Sequence, residues 1–486
     1  MRRDDFLAQF RALEAAGRLT DADIEKTCAA IAAEAAPSRE AIRALCDIAT
    51  MPSPERRASG QRAIFTSIVE KLGDSFEPEA VAVYDRMFTQ IIDDCRRRPG
   101  GEELDRMLDR FGIRGEEDLL DRKRRIAESR KYAGGEQGAL TVKQAFVLSR
   151  VTMGADVAVT SVLMDGLAAA FPNATVTLVG PAPVADLYRN GNRLRTIDAP
   201  YARRGSLLDR LSGWADLVRI LDDARTGLTA SEFLVIDPDS RLTQLGLLPV
   251  REEECGYFFF ESRSFQRPGK PSLAELAGTW HRETFGGESA PQPFVRIAPG
   301  DELRGHRARG VLRNRKIAAF NFGVGSNEAK GLSPEFEAGL TRGVLQKGYS
   351  VILDKGIGAE SDRANRIVTE WRAAGLKVLE LDSRGELSEP DTGAESVDAI
   401  TWQGGPGPFA GLIASSDIYA GYDSAFQHIA AALGKPVIDI FVQQNPPRFV
   451  ERWTPFSRNG AAVQTTRLNP EMPVDTAVSR ILAMLP

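Results

Sequence analysis

Cysteine and histidine are scarce in this chain. Its 486 residues hold four cysteines, Cys28, Cys46, Cys95 and Cys255, and three histidines, His281, His306 and His428. The cysteines lie far apart and form no metal-ligand spacing, which argues against a zinc module or a disulfide scaffold. They read as buried thiols in a reducing compartment. A basic excess is also lacking. Lys and Arg number 62 against 67 Asp and Glu, a net charge of −5, so there is no electrostatic footprint for nucleic acid. No uninterrupted apolar run approaches the ~18 residues that span a bilayer. Met1-Arg-Arg-Asp-Asp-Phe6 lacks the apolar core of a signal peptide. What remains is an ordinary globular composition, 43% hydrophobic, long enough for roughly three domains at ~150 residues each.

The first 132 residues show helical periodicity without interruption. Phe6, Leu7, Phe10 and Leu13 recur at helical spacing, as do Val81, Tyr84, Met87 and Ile91. Ser53-Pro54 is an N-cap followed by proline at the first helical position. This predicts an all-helical domain over 1–132, without a catalytic constellation, that serves a structural or partner-docking role. Tyr132 to Gly138 reads as a linker, so the helical domain is expected to be separable.

Alternating strand and helix patterns then begin. Ala145 to Ser149 is strand-like, Arg150 to Asp156 a turn, Val157 to Phe171 an apolar helix and Thr175 to Val179 the next strand. This βαβ unit opens a doubly wound sheet. Polar stretches at Arg203 to Arg210 and Arg263 to Lys270 read as loops. Residues 284–310, rich in Gly, Pro and charge, read as a second boundary. Lys316 to Asn321 starts a second strand–turn–helix–strand series, and Ser383 to Ser396 reads as a mobile loop. Two Rossmann-like domains follow the helices, over 139–300 and 312–486.

The most informative stretch is Gly421-Tyr-Asp-Ser-Ala-Phe-Gln-His-Ile-Ala-Ala-Ala-Leu-Gly-Lys-Pro436, between two strand-like runs. Ser424 and Gln427 fit a capping box, which starts a helix at Ala425. Gly434 and Pro436 end it. A helix N-terminus presents free N–H groups and suits an anion such as a pyrophosphate. Asp423, Ser424 and His428 would cluster at its mouth. On pattern alone, Ser424 could equally be only a cap and His428 an ordinary half-buried histidine.

This run resembles the signature of glycosyltransferase family 9, the ADP-heptose:lipopolysaccharide heptosyltransferases. That signature reads Asp, Ser or Thr, Gly, two residues, His, then a small-residue helix ending in Gly-x-Pro. Here Asp423-Ser424-Ala425-Phe426-Gln427-His428 departs at Ala425, which stands for Gly and would bring a methyl group toward a bound phosphate. The resemblance covers about residues 140–486. It implies two facing Rossmann-like domains of the GT-B kind, with ligands at the carboxyl ends of the strands. It assigns Asp423, Ser424 and Ala425 to the donor diphosphate and sugar, with His428 near the phosphates.

Three further constellations follow. The turn Asn321-Phe-Gly-Val-Gly-Ser-Asn-Glu-Ala-Lys330 has Gly323 and Gly325 but completes neither a dinucleotide fingerprint nor a P-loop. Lys330 is read as a grip on the leaving diphosphate or as a surface lysine. Glu360, in Asp354-Lys-Gly-Ile-Gly-Ala-Glu360, either accepts ribose hydroxyls or serves as the first acid of a helix. In Thr152-Met-Gly-Ala-Asp156 the family's Gly-Asp is replaced by Gly154-Ala155-Asp156, and Asp156 is taken as the general base. The resulting expectation is an inverting glycosyltransferase that needs no metal or cofactor. A nucleoside-diphosphate sugar would be the donor, and a glycan, lipid-linked glycan or protein the acceptor. Residues 1–132 would be open to a protein partner, with no nucleic-acid partner and no transmembrane segment. The location would be cytoplasmic, free or peripheral to the inner membrane. The alternative is a non-catalytic nucleotide-sugar-binding or scaffolding protein.

Overall fold

The structure, a computed structural model, describes the chain except residues 1–2, 129–130, 189–190, 203–204, 253, 289, 315, 326, 384–395 and 443–444. It has the expected fold class: α/β with two parallel sheets, preceded by helices. The chain forms two compact units, Met1–Val151 with Asp198–Gln266, and Thr152–Ile197 with Arg267–Pro486.

In the first unit, helices run from Arg3 to Thr141 with no strand among the described residues. Local signals place their starts. Thr20 and Asp23 form a capping box, and Ser53 caps a helix with Pro54 in its first turn. The strands Gln144–Leu148, Phe233–Asp237 and Tyr257–Phe259 lie side by side and parallel. Nearly every residue in them is buried, as the continuous apolar runs require.

The helices are tied to residues 198–266 by charge as well as by apolar packing. Lys123 is buried and donates to Asp85 at 2.5 Å, with Glu261 at 3.2 Å. Arg263 pairs with Asp239 at 2.6 Å, and Ser262 bridges Asp239 to Arg150. Arg122 donates to the Gly246 carbonyl and lies over the Tyr257 ring. Burial pushes the Asp85 carboxyl up to about 6, with Lys123 opposing the shift.

The second unit is built on a seven-stranded parallel sheet. Its core strands are Val437–Val442, Ile418–Tyr422, Ile317–Asn321, Ser350–Asp354 and Ala399–Gln403, adjacent in that order. Val463–Leu468 and Val378–Asp382 close the edges. One face packs Phe320, Leu353, Tyr422, Ile438 and Ile440 against helices 334–346, 359–373 and 474–482. The other face carries the alternate residues, among them Asn321, Asp354, Gly421 and Asp439.

Several expectations change. The loop expected over 203–210 ends at Leu207, where Ser206 and Asp209 form a capping box and start a helix. The boundary expected over 284–310 holds the helix Pro299–Val311, with proline in its first turn. The turn expected over 150–156 becomes helix at Met153. Cys255 is exposed, whereas the other three cysteines are buried. Residues 384–395, in the expected mobile loop, lie outside the described residues. The helical stretch Met153–Ala170 has the length and composition of a membrane span, but 67% of it is buried inside the fold, as in a core helix.

Removing one partner of a buried ion pair leaves an uncompensated charge, at a cost of about 3–5 kcal/mol. Lys123→Met is therefore expected to lower unfolding free energy by about that amount. Adding Asp85→Asn should recover part of the loss. Urea denaturation of the two variants checks this.

Candidate donor site

The carboxyl ends of the strands in the second unit bring four loops together. Register sets the arrangement: Asp354 pairs with Asn321, Asn321 with Gly421, and Gly421 with Asp439. Directly paired residues project from the same face, so these positions form one polar row across the sheet.

Asn321 is the centre of the row. Its Nδ2 donates to Asp354 at 2.7 Å. Its Oδ1 accepts from the Gly323 N–H at 3.1 Å and from the Ser424 hydroxyl at 3.2 Å. One amide therefore joins the glycine turn, the 354–360 turn and the helix mouth. Burial pushes the Asp354 carboxyl up to about 6, although Asn321 and the Gly356 N–H pull it back.

The helix mouth starts at Ala425, as its sequence predicts, but not through a capping box. Ser424 accepts from the Phe426 N–H at 3.4 Å. Gln427 turns instead to Asp423 and donates to Oδ1 at 3.2 Å. The other oxygen, Oδ2, receives Lys330 at 2.5 Å. Lys330 also lies 5.4 Å from the Phe449 ring centre. So Lys330 is no free surface lysine: it sits on the motif acid, partly buried.

His428 is buried beside this pair, edge-on to Trp453. Burial pushes its imidazole down to about 4, with Asp423 opposing and Lys330 reinforcing. At neutral pH it is an uncharged hydrogen-bonding group, not a cation for phosphate. Gly154 packs closely on this helix start: a Cβ on it would stand 3.1 Å from the Ala425 Cα and 3.4 Å from His428 Cδ2.

Glu360 takes the second of its two sequence readings, the first acid of a helix. It lies in the first turn of the helix Ala359–Ala373, and its Oε1 accepts from the Val324 and Gly325 N–H groups. Gly325 has φ 63° and Gly323 passes within contact of this carboxylate, so both places suit glycine. Phe322, Gly323, Asp354, Glu360 and Arg363 line one small pocket here.

Asp156 is corrected. Its carboxylate is fully buried in the helix it was expected to precede, and Oδ1 accepts from Thr160 one turn on at 2.7 Å. A carboxylate sealed in this way cannot take a proton from an incoming hydroxyl. The base assignment fails because Met153 already begins the helix and turns Asp156 inward. Asn321, Asp354 and Asp439 were given no role from sequence, and Gln427 only that of a capping-box partner. The first two had a legible signal, each being the polar last residue of an apolar strand run before a glycine turn.

Residues 408–476 match the model of a protein family described as Glycosyltransferase family 9 (heptosyltransferase). Here the chain is similar to glycosyltransferase family 9. The matched segment contains Asp423, Ser424 and His428, and the match supports a glycosyltransferase. Solved structures of family 9 type align over most of their length. The E. coli ADP-heptose lipopolysaccharide heptosyltransferase II has 15% identity and a TM-score of 0.48, over 70% of this chain and 98% of its own. A glycosyl transferase family 9 protein from Veillonella parvula has 14% identity and a TM-score of 0.47, over 71% and 90%. E. coli heptosyltransferase WaaC with ADP has 13% identity and a TM-score of 0.43, over 70% and 99%. Among curated proteins none matches this chain.

Two outcomes follow for this site. A histidine held near 4 in the fold and near ~6.5 unfolded contributes stability above ~6.5 that is lost as pH falls toward 4. His428→Asn is expected to remove roughly 3 kcal/mol of that acid sensitivity, read by urea denaturation at a series of pH values. Asp156→Asn keeps the Thr160 hydrogen bond. Its turnover is expected to stay within about tenfold of wild type, well short of the ~10²–10⁴-fold loss of a general base.

Proposed function

We propose that the chain is an inverting, metal-independent glycosyltransferase. It takes a sugar from a nucleoside-diphosphate donor and passes it to a glycan, lipid-linked glycan or protein. The observation that carries this reading is Lys330 on Asp423 at the mouth of the helix Ala425–Ala432.

In the reaction the acceptor oxygen bonds to the anomeric carbon as the bond from that carbon to the diphosphate oxygen breaks. Negative charge grows on the leaving diphosphate. Lys330 supplies a positive charge there, and the helix start supplies N–H donors, so no divalent cation is required. Asp423 holds the ammonium in place until the donor arrives and then turns to sugar hydroxyls. Ser424, steadied by Asn321, fixes the entry of the helix. Gly323 and Gly325 let the phosphates approach the backbone. Glu360 uses Oε1 on the turn amides, and we assign the ribose hydroxyls to its Oε2. His428 is a neutral donor or acceptor near the phosphates. The acceptor pocket is assigned to residues 139–300, with the proton taken by a group other than Asp156 in the conformation described. A cytoplasmic location, free or peripheral to the inner membrane, fits this reading. Residues 1–132 are left to a protein partner.

Turnover of a panel of nucleotide sugars, read as release of nucleoside diphosphate, tests the activity. A charge-assisted hydrogen bond to phosphate is worth ~1.5–3 kcal/mol. Lys330→Ala is therefore expected to weaken nucleoside-diphosphate binding by roughly tenfold or more in calorimetry. Unchanged affinity in both Lys330→Ala and Asp423→Ala would place the donor elsewhere.

A further inference from the structure

The strand Val437–Val442 reads Val-Ile-Asp-Ile-Phe-Val, with one charged residue. That residue, Asp439, has no solvent exposure, and neither of its carboxylate oxygens has a hydrogen-bond partner. Val437 and Phe441 occupy the same face of the strand, so an apolar residue would suit the position better. A buried acid without a partner is costly to hold, and such groups concentrate where function needs them.

Its place in the sheet says what it acts on. Asp439 is level with Gly421, two residues before Asp423. Gly421 has no side chain to separate it from Asn321, and the Tyr419 hydroxyl reaches into that gap. The charged groups that act on Asp439 are Asp423, which disfavours its ionisation, and Lys330, which favours it. The other titratable groups on elements packed against this strand are Tyr419 on one neighbouring strand, Arg467 on the other, and Arg448, Glu451 and Arg452 on the helix Pro447–Trp453, whose Phe449 packs on Phe441. His428 stands on the helix above, and Glu328 lies beside Lys330. His428 is neutral near pH 7. Two acids and one ammonium therefore share the floor of the site.

We propose that Asp439 is a positioning residue for the donor: its carboxyl, through its proton, decides whether the charge of Lys330 is available to the diphosphate. This rests on the donor site proposed above. Asp439 touches no donor atom and acts through Lys330 and Asp423. Burial pushes its carboxyl well above the ordinary carboxylate range. While it keeps its proton, Lys330 and Asp423 sum to zero. Once it ionises, the three groups sum to −1, two acids hold the ammonium, and a diphosphate is repelled. Donor affinity should then fall as pH rises.

The test is calorimetric binding of ADP, UDP and GDP to the full chain from about pH 6.5 to about 9.5, in wild type, Asp439→Asn and Asp439→Leu. Both variants are permanently uncharged, and the leucine variant is expected to melt higher than wild type. Across this range wild-type affinity for the nucleotide that binds should fall about tenfold more than that of either variant. A parallel fall in all three proteins overturns the proposal and leaves the donor site standing. A wild type that binds none of the three nucleotides overturns the donor site and this proposal together.

Discussion

One side-chain amide, that of Asn321, holds the candidate site in shape. It donates to Asp354 and accepts from Gly323 and Ser424, so three loops from separate strands meet on one group. An amide suits this role because it offers a donor and an acceptor in one rigid plane. Leucine at this place would fill the volume and leave Asp354 and the Ser424 hydroxyl without their partner. Helix entry, glycine turn and acidic turn therefore share one fate, and the position of Lys330 on Asp423 depends on all three.

The same row shows how a parallel sheet concentrates chemistry at one edge. Along each strand, one face supplies the apolar core and the other ends in Asp354, Asn321, Gly421 or Asp439. Burial acts on these polar ends in different ways. Asp354 is hydrogen-bonded and pushed up to about 6, whereas Asp439 has no hydrogen bond and burial pushes it well above the ordinary carboxylate range. Asp423 has a lysine and a glutamine on its two oxygens. Neighbouring carboxyls thus take different protonation behaviour from their partners, which is how one site can hold both an anion-binding lysine and several acids.

In the first unit, charge has a different use. Lys123, Asp85, Glu261, Asp239, Arg263 and Arg150 form a compensated buried cluster where the helices meet residues 198–266. A linker-like composition between 132 and 138 suggests detachment, yet the helices and residues 198–266 form one compact unit. The linker residues describe only the local chain. Which surfaces the flanking elements bury is set by side chains far away in sequence, such as Lys123 and Glu261.

The sequence by itself determined the helical character of residues 1–132, the strand–helix alternation after 144, the helix start at Ala425 and the Asp423–His428 motif. Each depends on periodicity or on contacts within a few residues, and these are written in order along the chain. Short edge strands such as Val463–Leu468 escaped because a half-exposed strand lacks a continuous apolar run. Tertiary structure alone decided that Gln427 serves Asp423 rather than the cap, that Lys330 reaches the same acid, that Gly154 packs on the Ala425 backbone, and that Asp156 turns inward. It also decided that Asp439 lies without a partner beneath the pair. These depend on strand register and on where a helix begins relative to its strand. One residue of shift reverses the face on which a strand side chain lies, and no local pattern records that choice.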